Sequence, residues 1–196
     1  MINYELEISK RLNIFRLKDL QKSGLSYERI YLDGYRDSNL GWEVPMIDPL
    51  TGEEKFCRTR LDSPGQDDPK YIQPSKTGLL PFFPNLENWY EVFDDSTKSI
   101  ILTEGEKKAS KLIQEGFLAI SMPGVSAYGS KTFTESINRI KWKSRNTYLC
   151  FDSDIRTKAQ VRKALTEFAK ILNRKGAQVF EIELPDLSVV SSKGDI

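Results

Sequence analysis

Four apolar, β-branched runs mark the second half of the chain, at 99–103, 118–122, 147–151 and 178–184, and a helical pattern separates each from the next. No other feature constrains the fold as strongly. Strands joined through helices form right-handed crossovers and pair in a parallel sheet. The first run, Ser99-Ile100-Ile101-Leu102-Thr103, has the continuous apolar character of a strand covered on both faces. Among the intervening segments, 106–115 is a helix stopped by Gly116. The stretch 132–142 is helical, with Phe133, Ile137 and Ile140 on one face. The longest, 157–174, carries Val161, Leu165, Phe168, Ala169 and Leu172 and ends at Gly176.

The first half reads differently. Leu12, Ile14, Phe15, Leu17 and Leu20 are the apolar positions of a helix over 12–24, with Gly24 as its stop. Ser26 caps a second short helix over 27–32, ending near Gly34. A β-rich stretch follows, with strands at 42–47, 55–61 and 70–72 and a turn at 48–52 rich in Pro, Asp and Gly. In the second of these strands Phe56, Arg58 and Arg60 alternate with Cys57 and Thr59. A polar loop spans 62–69, an apolar segment spans 79–83, and 94–98 is a charged linker that marks the boundary between the halves.

The balance of 29 basic and 28 acidic residues gives a net charge of +1, which neither requires nor excludes a nucleic-acid partner, because a local basic face fits a neutral total. There is no histidine, which removes histidine general-base mechanisms. Only Cys57 and Cys150 remain as sulfur ligands, so a structural zinc site is not expected. Both cysteines sit in strand-like runs and are expected to be buried thiols. No signal peptide or membrane-length apolar run is visible, so the expected location is cytoplasmic, away from any membrane. Trp42 and Tyr71 read as core side chains, and Lys141, Lys143 and Arg145 as a solvated helix end. Ser121 and Ser126 have no base beside them for nucleophilic catalysis.

Two acidic strings lie at strand ends, Thr103-Glu104-Gly105-Glu106 and Asp152-Ser153-Asp154. In an open α/β sheet this junction is the carboxyl edge, where ligands bind. Carboxylate oxygens there suit Mg²⁺, a hard cation. Alone, Glu104 reads as an acid favoured by a helix dipole, and Asp152 and Asp154 as caps of the following helix. Strand, glycine and Asp-x-Asp together favour metal binding. Glu106 is balanced between a first-turn helix acid and a metal contact. Asp186 and Asp195 are further candidate acids with the same ambiguity.

In order and spacing these motifs resemble the TOPRIM domain, shared by bacterial-type primases, type IA and II topoisomerases and certain nucleases. The segment 101–105 is similar to the family's strand-Glu-Gly motif, and Phe151-Asp152-Ser153-Asp154 to its Asp-x-Asp motif. Upstream, Pro69-Lys70-Tyr71-Ile72-Gln73-Pro74-Ser75 resembles a segment of the small subdomain that precedes TOPRIM in bacterial replicative primases, where Arg58 and Arg60 match a basic strand. The run 103–109 resembles the Thr-Glu-Gly-Glu-Lys-Lys-Ala of phage and plasmid replication proteins. The likeness covers about 25–196. Two departures stand out. Lys108 occupies a place where replicative primases carry aspartate. The acidic motif after the fourth strand has only Asp186 and Asp195 to supply it before the chain ends at Ile196.

The implied fold is α/β. A Rossmann-like, mainly parallel four-stranded sheet flanked by helices forms a TOPRIM domain over 96–196, its last motif cut short. A small α+β subdomain over 1–95 precedes it, without the zinc module or helicase part of larger relatives. The implied function is a Mg²⁺-dependent primase-type nucleotidyltransferase, with Mn²⁺ able to substitute. It makes short primers on single-stranded DNA from nucleoside triphosphates in phage or plasmid replication, beside a helicase or other domain of a parent protein. On this reading Asp152 and Asp154 hold metal, and Glu104 ligates metal or moves a proton. Lys107 and Lys108 meet phosphate, and Arg58, Arg60 and Lys70 line a basic groove. The alternatives are a metal-dependent TOPRIM nuclease and a non-catalytic nucleic-acid-binding module. A topoisomerase is disfavoured, because no nucleophilic tyrosine domain fits this length.

Overall fold

Amide and hydroxyl side chains start the first three helices. Asn3 accepts from the Leu6 N–H at the head of α1 (Tyr4–Ser9), Asn13 from Phe15 and Arg16 at α2 (Ile14–Gln21), and Ser26 from Arg29 at α3 (Tyr27–Leu32). The computed structural model describes residues 2–151 and 159–184. Helix α1 was not expected, and α2 is shorter than the helix foreseen over 12–24. Leu12, Leu17 and Leu20 are buried, whereas Ile14 and Phe15 are 54% and 81% exposed. The buried three form one stripe, and the other two lie off it.

Four antiparallel strands follow in the order β1 (Arg36–Asp37), β2 (Gly41–Ile47), β3 (Glu54–Leu61) and β4 (Tyr71–Ile72). Trp42 faces Arg60 in register, Val44 faces Arg58, and Met46 faces Phe56. Trp42, Val44 and Met46 are buried with Leu17, Leu20 and Ile30 from the helices. Each such side chain contributes about 1.5–3 kcal/mol by leaving water. Trp42 lies edge-on between Tyr35 and Tyr71, as expected of a core ring.

The four runs of the second half pair in parallel, in the order β6 (Ala119–Met122), β5 (Ile100–Glu104), β7 (Asn146–Cys150) and β8 (Gln178–Glu181). The chain passes between them through α5 (Glu106–Gln114), α6 (Lys131–Asn138) and α7 (Ala159–Arg174). Ile100, Leu102, Ile120 and Leu149 form the core with Phe133, Ile137, Leu165, Phe168 and Leu172 from α6 and α7. Ahead of the sheet, α4 (Trp89–Asp94) takes the first residue of the expected linker. Arg145 is fully buried rather than solvated, because its guanidinium closes the end of α4. Cys57 and Cys150 are half-buried, not buried; the Cys57 thiol lies on the polar face of β3, between Arg36 and Glu54.

The two sheets are stitched together. Phe82 exchanges both backbone hydrogen bonds with Ser121 at 2.9 Å, adding an antiparallel rung at the edge of β6. Ala109 of α5 belongs to the core under the first sheet, and Ile113 of the same helix packs against both cores. Among the described residues no helix is long and apolar enough to cross a membrane.

Candidate active site at the carboxyl edge of the parallel sheet

The ladder of β5 brings Glu104 to the carboxyl edge, opposite Met122 of β6. Thr103 is level with Cys150, so β7 leaves the sheet beside Glu104. Asp152 and Asp154 follow directly in sequence and lie outside the described residues, as do Asp186 and Asp195. Gly105 turns the chain from strand to helix at φ +89°, a left-handed conformation that disfavours any side chain. Glu104 is half-buried and lines a cleft of about 400 Å³, with Met122 and Pro123 on one side and Tyr71, Gln73 and Leu79 on the other. The candidate carboxylate therefore sits where the parallel sheet meets the strand-and-loop segment of the first half. Burial, reinforced by the charge of Glu106, pushes the Tyr71 phenol up to about 12, so it stays a neutral hydroxyl at this wall.

Glu106 faces away from such a role. Its carboxylate, buried at 3% exposure, accepts a charge-assisted hydrogen bond from Arg58, itself 6% exposed. Arg58 also donates to Gln73 Oε1, at 3.3 Å from Nε and 3.2 Å from Nη2, and to the Leu80 carbonyl at 3.3 Å. Arg58 is thus held largely inside the protein by these partners, at the wall of the cleft that Glu104 lines.

Arg60 stands differently. Its Nη1 donates to the Leu61 carbonyl at 3.1 Å, and its guanidinium lies 5.5 Å from the Tyr71 ring centre. It lines a second cleft, of about 410 Å³, with Phe15, Asp19 and Trp42. Lys107, in the first turn of α5, reaches the same neighbourhood, 3.2 Å from Asp19 and 5.8 Å from the Trp42 ring centre. The Trp42 indole donates to Asp19 at 2.9 Å. Burial works to raise the Asp19 carboxyl, but the Trp42 hydrogen bond and the Lys107 charge outweigh it and hold it below the usual carboxylate range. Lys70 and Lys108 are exposed.

The structure thus gathers Glu104, Tyr71 and Gln73 at one cleft, and Arg60 and Lys107 beside it on an aromatic wall. Among the described residues no group of three or more acidic, Cys or His side chains converges on a metal position. Glu104 offers the hard oxygen donor that Mg²⁺ takes, and Glu106 is occupied by Arg58. The part of Asp19 was not foreseen, nor was the pairing of Arg58 with Glu106. The latter had a signal: Arg58 alternates onto the face of Phe56, and an arginine on an inward face needs an acid or carbonyls.

A family model described as a domain of unknown function, DUF3854, matches residues 88–194. No curated protein matches the chain in sequence. Among solved structures, a DnaG primase catalytic domain bound to single-stranded DNA is similar with a TM-score of 0.59 at 18% identity, over 91% of this chain and 68% of that one. The E. coli primase catalytic core is similar at 0.55 and 18%, over 87% and 65%. A DnaG catalytic core is similar at 0.54 and 15%, over 92% and 69%. The chain thus spans about two thirds of those cores. The likeness shows the fold, which is the TOPRIM fold of primase catalytic cores, with a four-stranded parallel sheet flanked by helices.

Proposed function

The chain belongs to the DUF3854 family, a domain of unknown function, and from that premise we propose that it is the core of a primase-type nucleotidyltransferase acting on single-stranded DNA. The observation that carries this reading is the position of Glu104, at the carboxyl edge of the parallel sheet and in the cleft facing Tyr71 and Gln73. Glu104, Asp152 and Asp154 are the residues that hold Mg²⁺ in this reading, with Mn²⁺ as its substitute. When bound, the cation supplies charge neutralisation for a triphosphate and orientation of the attacking 3′-hydroxyl.

The remaining work falls to the chain's own side chains. Arg60 and Lys107 meet backbone phosphates beside the carboxylate, with Lys70 and Lys108 as outer cations, so binding is independent of sequence and weakens with salt. Met122 and Pro123 exclude water from one flank of the cleft. The segments 1–95 and 96–196 act as subdomain and TOPRIM domain. The setting is cytoplasmic replication of a phage or plasmid, beside a helicase or other domain of the parent protein.

The test incubates the chain with single-stranded DNA, all four ribonucleoside triphosphates and Mg²⁺ or Mn²⁺. Short oligonucleotides that disappear in Glu104→Ala and in Asp152→Ala are the expected result. Cut template strands instead would assign hydrolysis, and neither product would overturn catalysis in favour of binding alone.

A further inference from the structure

We infer that Arg58 and Glu106 are positioning residues that aim Glu104, an inference that rests on the metal-binding reading of Glu104 above. Glu106 lies two residues beyond Glu104, across the Gly105 turn. Two features leave that turn without side-chain support at the glycine itself. Gly105 is the N-cap of α5 and makes no side-chain capping bond. A Cβ built on it would meet nothing within 4 Å, so nothing packs against that face of the glycine. The junction is fixed by the β5 ladder before it and by the head of α5 after it, where the Ala109 N–H donates to the Gly105 carbonyl, Lys107 pairs with Asp19, and the Glu106 carboxylate is buried against Arg58.

Arg58 is anchored in turn. It sits in register opposite Val44 in the middle of β3. Its guanidinium also gathers the segment after β4 through Gln73 and the approach to the parallel sheet through the Leu80 carbonyl. Gln73 closes the chain behind it, its Nε2 donating to Thr77 Oγ1 at 3.0 Å and to the Gly78 carbonyl at 2.6 Å. One guanidinium therefore ties together the first turn of α5 and two segments that bound the Glu104 cleft. A buried ion pair adds little net stability over apolar residues of the same volume, and breaking one side is what costs. The pair accordingly sets geometry at the cleft, whose wall Arg58 and Glu106 share with Glu104.

The test uses the full chain and Mn²⁺ alone, titrated by calorimetry, with thermal unfolding measured alongside. Glu104→Ala is expected to abolish or strongly weaken uptake. The paired variant Arg58→Met with Glu106→Leu is expected to unfold near the wild-type temperature yet bind Mn²⁺ about tenfold or more weakly, the scale of losing a partner that orients a ligand. Wild-type affinity in the folded paired variant would overturn the positioning role. Should the paired variant not fold, Arg58→Lys replaces it, keeping a charge for Glu106 while releasing Gln73 and Leu80. A smaller loss of Mn²⁺ affinity is then expected, and an unchanged affinity overturns the role. Absence of uptake by the wild-type chain, or uptake indifferent to Glu104→Ala, overturns the metal reading itself, so the two failures are told apart.

Discussion

Arg145 follows a helix–strand connection and begins no motif, yet its side chain is fully buried. All three guanidinium nitrogens donate to backbone carbonyls. Nε binds Lys141 at 2.9 Å, Nη1 binds Lys98 at 2.6 Å, and Nη2 binds Val92 and Phe93 at 2.8 and 3.1 Å. The last two belong to the terminal turn of α4, whose carbonyls have no partner within the helix. The cation therefore serves as a C-terminal cap reaching from elsewhere in the chain, favoured there by the helix dipole. Burial pulls its pKa down, but an arginine keeps its proton at any physiological pH. Arg145→Met preserves much of the volume and removes all four of these hydrogen bonds; the Phe93 carbonyl keeps the Lys141 N–H, while the buried Val92 carbonyl loses its donor. The expected loss is about 3 kcal/mol of stability, since each stranded acceptor costs on the order of 1–3 kcal/mol and water recovers part of it. Urea unfolding checks this, and an unchanged midpoint would refute the capping role. Arg145→Lys should recover only a fraction, because one ammonium cannot span four acceptors.

The junction of β5 and α5 is the element on which the candidate chemistry depends. Gly105→Ala introduces no clash, as a Cβ there meets open space, so its cost is the positive-φ, extended backbone (φ +89°, ψ 133°) alone, about 1–3 kcal/mol. The strained turn relaxes by shifting Glu104 or the head of α5. Loss of Mn²⁺ binding is therefore expected to exceed what the modest fall in melting temperature implies; calorimetry and thermal unfolding together decide. The elements around this junction were readable because their signals are local. Ile100, Ile101 and Leu102 read as a sheet strand from the run alone, and Ser26 announced α3. Helix α4 escaped because it has six residues and its apolar positions, Trp89, Val92 and Phe93, blend with the irregular apolar stretch before it. Glu104 was legible as a strand-end acid. Its neighbour Glu106 was not resolved, since its partner Arg58 lies 48 positions away on another sheet. Ion pairs across such separations leave no periodicity in the sequence. Asp19 was missed for the same reason, as its partners Trp42 and Lys107 come from β2 and α5.

At the scale of the whole molecule, several contacts join the antiparallel and parallel sheets, among them the Phe82–Ser121 rung, the core shared through α5, the buried Arg58–Glu106 pair and an ion pair far from the cleft. That pair is Asp48, in the turn between β2 and β3, with Arg139, the residue after α6. Arg139 donates with both Nη atoms, at 2.8 and 3.0 Å, in the two-pronged geometry that suits a carboxylate. The Arg139 hydrogen bonds hold the Asp48 carboxyl below the usual range. Burial opposes them, and the Leu50 and Thr51 N–H groups assist. A carboxyl whose pKa is lower folded than unfolded stabilises the fold above its unfolded pKa, about 3.9, and loses that contribution as pH falls through the lower folded value. Both partners keep some exposure, so the pair contributes about 0.5–1 kcal/mol after screening by solvent. Asp48→Asn keeps the turn's acceptor oxygen and removes only the charge. The variant should melt below wild type by a steady margin from pH 7 to pH 5. That margin should shrink below about pH 4 and vanish once the wild-type carboxyl is protonated. High salt should narrow it at neutral pH as well. A margin independent of pH would mean that Asp48 acts through its turn and not through Arg139. In that case the join between the sheets rests on the shared core, the Phe82 rung and the ion pairs of α5 with Arg58 and Asp19, with no share from Arg139.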